Sequence, residues 1–256
     1  MKQLFSLDTL IKIVLSFLLI SDVSGLKTTT PLLVLEHNGL INSVGAFTTG
    51  DGKTLFITAS FDSTAKIWSN DGDCLRSLRH DSAVRSVASV TTADGEILFI
   101  TGSDDKTAKI WNRAGSCLAI LHHDGWITSV AAVITADGKT LFITGSLDKT
   151  VRIWNSCGDC LATLEHNEEV NSVAAVVTAD GETLFISGGK TAKIWNRAGS
   201  CLATIYRESL VISVAAITTA DGKTLFITGS GTKAMVWSHE QVWTLRFCQT
   251  IQHNSL

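Results

Sequence analysis

Histidine, serine and aspartate recur along this chain at a spacing that could build a hydrolytic triad. His37, His80 and His123 are each followed by a serine (Ser60, Ser103, Ser146) and, two residues further on, an aspartate (Asp62, Asp105, Asp148). A triad needs a hydroxyl within reach of a histidine base that a carboxylate orients. Asp51, Asp94, Asp137, Asp180 and Asp221, each followed by glycine, suggest a ring of carboxylates, and Cys157 and Cys160 form a Cys-x-x-Cys unit. Each set has a plainer reading. Catalysis needs one asymmetric site, and near copies do not provide it. Asp-Gly is a preferred hairpin dipeptide because both positions tolerate positive φ. The cysteine pair has no second pair at metal spacing and no βαβ context, so it is read as an accident of a hairpin. A glycosidase would need two inward carboxylates at a defined separation, and no non-repeated acidic pair is offered. The reading is no enzyme, no metal and no cofactor.

The elements that must position these groups are legible from the tryptophans. Trp68, Trp111, Trp154, Trp195 and Trp237 are 43, 43, 41 and 42 residues apart, each within a near copy of Lys-Thr-Ala-Lys-Ile-Trp. A regular period of this length marks a repeat architecture whose units gain a core by stacking on their neighbours. In the third unit Trp126 to Val133 reads as a buried strand, Thr135 to Gly138 as a turn and Leu141 to Thr144 as a second strand. A tight turn through Asp148 leads to Thr150 to Trp154, which alternates with period two, and an outer strand follows from Cys160 to Leu164. Each unit thus predicts four antiparallel strands.

Composition agrees with one globular all-β domain. Of 256 residues 45% are hydrophobic and 18% charged, enough to bury a core. The net charge is −3, with 21 Lys and Arg against 24 Asp and Glu and no basic run, which argues against nucleic acid. The sole proline, Pro31, leaves the turns to glycine.

Residues 1–25 form a leader. Lys2, an apolar stretch from Ile13 to Ile20, and Val23 and Gly25 before Leu26 suit a secretory signal peptide; Asp8 and Lys12 interrupt the front of the apolar region, and an amphipathic capping helix is the equal alternative. The stretch is too short to span a bilayer. Cys74, Cys117, Cys160 and Cys201 recur at the repeat period, too far apart for disulfides. With Cys248 they read as free thiols, which favours a reducing compartment and sets the intracellular reading slightly ahead of the secretory one.

The repeats resemble the WD40 family, whose units are four-stranded blades of a β-propeller. The resemblance covers residues 31–247, with 248–256 as a tail. It implies that a loop histidine, a turn aspartate, a strand Ser or Thr and the tryptophan form a hydrogen-bonded network in each blade. Here these are His37, Ser60, Asp62 and Trp68; His80, Ser103, Asp105 and Trp111; His123, Ser146, Asp148 and Trp154. His166 would begin a fourth network. Repeat four is two residues shorter at Ser187-Gly188-Gly189-Lys190 and loses the aspartate, and repeat five has Arg207 and Gly231 in place of histidine and aspartate. Blades four and five are expected to be the least rigid.

The resemblance further implies a non-catalytic scaffold that presents loops to protein or peptide partners. Its upper-rim positions map to Phe61, Asp104 and Leu147, just before the turn aspartate, and to Leu40, Ala83, Trp126 and Glu169, just before the first strand. These differ between repeats whose surroundings are nearly copied, and Trp126 is either an exposed anchor or packed against the next blade. Five blades are expected to close into a ring, with Leu32 to Leu35 joining the strands that end at Trp237. The alternative is an open series with apolar end faces that self-associates. A rival reading is a secreted five-bladed lectin of tachylectin type with one sugar pocket per blade.

Overall fold

The computed structural model describes residues 31–240. The leader and the tail, with Cys248, lie outside the described residues. All nineteen strands among those residues belong to the compact unit Leu35–Leu256.

Blade one is β1 (Ile41–Thr48), β2 (Thr54–Ser60), β3 (Thr64–Trp68) and β4 (Cys74–Arg79). Blade two is β5 (Val84–Thr91), β6 (Ile97–Ser103), β7 (Thr107–Asn112) and β8 (Cys117–His122). Blade three is β9 (Ile127–Ile134), β10 (Thr140–Ser146), β11 (Thr150–Asn155) and β12 (Cys160–Glu165). Blade four is β13 (Ser172–Val177), β14 (Thr183–Gly188), β15 (Thr191–Asn196) and β16 (Cys201–Tyr206). Blade five is β17 (Val211–Thr218), β18 (Thr224–Ser230) and β19 (Lys233–Ser238). Each is an antiparallel meander in chain order. The fold is all-β, with sheets built as propeller blades.

The core lies between blades. Leu98, Ile100, Ala108, Ile110 and Leu121 of blade two pack on Ile127, Val130, Phe142 and Trp154 of blade three. The second strand of an inner blade is therefore buried on both sides; every residue of β6 is buried, whereas outer strand β8 leaves Leu118 and Ile120 exposed. Stacked repeats whose units cannot bury a face alone give this gradient.

The first turn of each blade closes around its Asp-Gly pair. Thr135 N–H donates to the Lys139 carbonyl and Gly138 N–H to the Thr135 carbonyl, while the Thr135 hydroxyl donates to Asp137. Only the glycine adopts positive φ (77° at Gly138); the aspartate does not, and instead accepts from the threonine. The carboxylates are turn-formers by hydrogen bonding.

The expected closure is not what the structure shows. Leu32 to Leu35 form no strand, and Leu32 is 95% exposed. The fifth sheet has three strands among the described residues. Inner strands pack in series, β1 on β5, β5 on β9, β9 on β13 and β13 on β17, and Ile41, Val44 and Val236 at the two ends are exposed.

Candidate functional site

The histidine networks assemble where the loop before the first strand meets the β2–β3, β6–β7 and β10–β11 turns. In blade two His80 Nδ1 lies 2.7 Å from Asp105 Oδ2, and His80 Nε2 lies 2.7 Å from Thr101 Oγ1. Trp111 Nε1 donates to the same Thr101 oxygen at 2.8 Å. Blade one repeats this with His37, Asp62, Thr58 and Trp68, and blade three with His123, Asp148, Thr144 and Trp154.

The hydroxyl that joins histidine to tryptophan is thus Thr58, Thr101 or Thr144, a correction to the placing of Ser60, Ser103 and Ser146. The serines accept from the N–H of the turn aspartate, and Ser103 also donates to the Ser82 carbonyl. Strand register explains the difference. Phe99 pairs with Trp111 and Thr101 with Lys109, so the indole N–H reaches diagonally to Thr101 and falls short of Ser103. Thr64, Thr107 and Thr150 complete each network by donating their hydroxyl and backbone N–H to the carboxylate.

One proton arrangement satisfies every atom. The indole N–H donates to the threonine oxygen, the threonine O–H to Nε2, and Nδ1–H to the carboxylate, with the imidazole neutral. Burial pushes the His80 and His123 rings below the ordinary histidine value, more than the neighbouring Asp105 and Asp148 raise them. Burial alone would raise Asp105 and Asp148, but the threonine hydroxyls, the rings and the backbone N–H groups hold both at about 2. The same groups hold Asp62 well below the carboxylate range. The order Asp, His, hydroxyl imitates a triad, yet Thr101 and Thr144 are 0% exposed and their oxygens are taken by tryptophan. The arrangement fastens strands.

Blades four and five depart as their sequences do. Ser187 joins His166 Nε2 (2.6 Å) to Trp195 (2.8 Å), with no aspartate beside Nδ1. Without that carboxylate, burial and nearby Lys193 drive His166 down to about 4. His166 borders a cleft of about 260 Å³ that Lys190, Tyr206 and Arg207 also line. In blade five only the Trp237 to Thr228 bond remains, at 3.1 Å.

The two sets of rim positions are brought together blade by blade. Phe61 N–H donates to the Leu40 carbonyl, Asp104 N–H to Ala83 and Leu147 N–H to Trp126. Leu40, Phe61, Trp126 and Glu169 are exposed, and Asp104 and Leu147 are half-buried. Ala83 is buried, a correction: its methyl group is too small to project past the strand behind it.

Trp126 is 45% exposed and does not pack into the next blade's core. The Arg85 guanidinium stacks against it at 5.1 Å and against Phe61 at 5.5 Å, and is held by both oxygens of Asp104. Sequence reasoning missed Arg85. It occupies the position from which Asn42, Thr128 and Asn171 each hydrogen-bond to a carbonyl of the following blade. A cation among Asn and Thr was the available signal. The result is one aromatic and cationic patch spanning blades one to three.

Cys74, Cys117, Cys157, Cys160 and Cys201 are free and exposed. Among the described residues no three His, Cys, Asp or Glu side chains cluster to hold a metal, and no helix is long and apolar enough to cross a membrane.

The family model for the WD domain, G-beta repeat, matches residues 29–69, 72–112, 115–155 and 158–196. The repeat beyond residue 196, with Arg207 and Gly231, falls outside the match. No curated protein matches the chain.

Proposed function

This chain belongs to the WD40 repeat family, and from that premise we propose that it is a protein-interaction scaffold whose working surface is the rim patch of Trp126, Arg85 and Phe61. WD40 repeats are in general scaffolds of this kind, and the match gives the lectin reading no support. The observation that carries the proposal is the stacking of Arg85 between two exposed aromatic rings. Trp and Arg dominate binding hot spots because they offer large contact area with a polar handle. Asp104 holds the guanidinium in place, so little side-chain entropy is lost when a partner covers it.

The partner is a protein or peptide that lays an apolar side chain across Trp126 and Phe61, flanked by Leu40. The networks behind the rim keep those loops fixed. Panning a random peptide library on the chain tests this. Enriched peptides should lose binding on the Trp126→Ala and Arg85→Ala variants. Peptides that bind both variants as well as the parent would move the site elsewhere.

A further inference from the structure

The two end faces of the blade series carry the same features that meet at the joints between inner blades. At three of the four joints between blades a glycine admits the next sheet; at the first, Ala59 stands in its place, buried in one core cluster with Val84 and Val87 of blade two. A Cβ on Gly102 would come within 2.6 Å of Ile127 and 2.9 Å of Val130; on Gly145 it would meet Val170 and Val173, and on Gly188, Val211 and Val214. Gly229 holds this position in blade five, and the nearest atoms to a Cβ there belong to Ser213, 3.7 Å away. The glycine is present, and no sheet among the described residues rests on it.

A serine repeats the message. Ser43, Ser86, Ser129 and Ser172 each accept the N–H of a valine on the next blade (Val87, Val130, Val173, Val214) at 3.1 to 3.3 Å. Blade five keeps that serine as Ser213, exposed. Around it Leu225 and Ile227 are half-buried and Val236 is 59% exposed, where Leu98, Ile100 and Ile110 are buried.

The complementary half is on blade one. Ile41 and Val44 correspond to Ile127 and Val130, the pair seated on Gly102. They are 45% and 60% exposed against 0% and 6%. Phe56 is half-buried where Phe99, Phe142 and Phe226 are fully covered. Val44 and Val236 are exposed in the same molecule, so the chain's own first face does not cover its fifth.

We infer that blade one of a second copy docks on blade five, with Ile41 and Val44 seated on Gly229 and the Val44 N–H donating to Ser213. The contact continues the interface that already joins the chain's own blades. It is heterologous, so copies add head to tail until a ring closes or a filament grows. The rim patch is not involved, and the two proposals stand or fall separately.

Sedimentation velocity on the full chain, on Val44→Asp, on Val236→Asp and on their equimolar mixture tests the inference. Each variant spoils one face and leaves the other intact. The parent should gain mass with concentration, each variant alone should stay at the mass of one chain, and the mixture should form pairs that grow no further. A parent that stays at one chain at every concentration, a single variant that still associates through like faces, or a mixture that fails to pair would overturn it. Both valines are exposed, so unfolding temperatures should match the parent's; if an aspartate variant does not fold, Val44→Ser and Val236→Ser serve in its place.

Discussion

His80 and Trp111 stand edge to face, their ring centroids 6.2 Å apart, and both are bonded to the hydroxyl of Thr101. The tryptophan that marks each repeat therefore has two roles. Its ring fills the contact with the preceding blade, and its N–H ties its own blade to the histidine loop through Thr101.

The shared hydroxyl sets the first expectation. Thr101→Val keeps the shape but leaves Trp111 Nε1 and His80 Nε2 buried without partners, a loss of roughly 2–4 kcal/mol. Ser103→Ala leaves those groups paired and removes two more local bonds, for about 1 kcal/mol. Urea unfolding midpoints of the two variants should fall in that order; the reverse would return the serine to the centre of the network.

Acid should destabilise the fold in two stages. His166 takes up a proton at about 4 when folded and at 6.5 by its ordinary value. Between those values the unfolded chain binds the proton and the folded one does not, so stability falls as pH drops from 6.5 to 4, by roughly 3 kcal/mol from this group alone. His80 and His123, also lowered, act in the same direction. Asp105 and Asp148, depressed to about 2, stabilise above their ordinary value of 3.8 and lose that contribution as pH falls from there toward 2. Unfolding free energy measured from pH 8 to 2 should be flat above 7 and fall in two steps, and His166→Gln should shrink the first of them.

Trp126 and Trp111 should part company on truncation. Trp126→Ala removes an exposed ring and one cation–π contact, about 0.5–1 kcal/mol. Trp111→Ala empties a buried site for about 3–5 kcal/mol. Thermal unfolding separates them, and a large loss at Trp126 would make it a core residue.

Hydrogen exchange should follow the missing partners. The turns at Gly189 and Gly231 lack the carboxylate that anchors the turns at Asp105 and Asp148, so their amides should exchange faster than those of blades two and three. Equal protection across all five blades would show that packing alone sets rigidity here.

The parts legible in the sequence were those fixed within one repeat. The tryptophan period and the Asp-Gly turns are local signals, and each led to a strand or hairpin at nearly its observed place. Thr101 and Ser103 project from the same side of one strand, and only the pairing of Phe99 with Trp111 decides which meets the indole; spacing from the aspartate does not. Arg85 sat inside a strand pattern, and its reach to Phe61 and Trp126 depends on three blades at once. Closure depends on the rotation between sheets, a product of side-chain contacts summed around the series, which no single repeat encodes.

The glycine against which the sheets of blades three, four and five rest makes those joints interchangeable. Because Gly102, Gly145 and Gly188 meet an Ile–Val or Val–Val pair in one register, a whole repeat inserted or deleted by unequal recombination re-forms the same joint on either side. Copy number can therefore change without disturbing the joints already present, provided the crossover preserves the period.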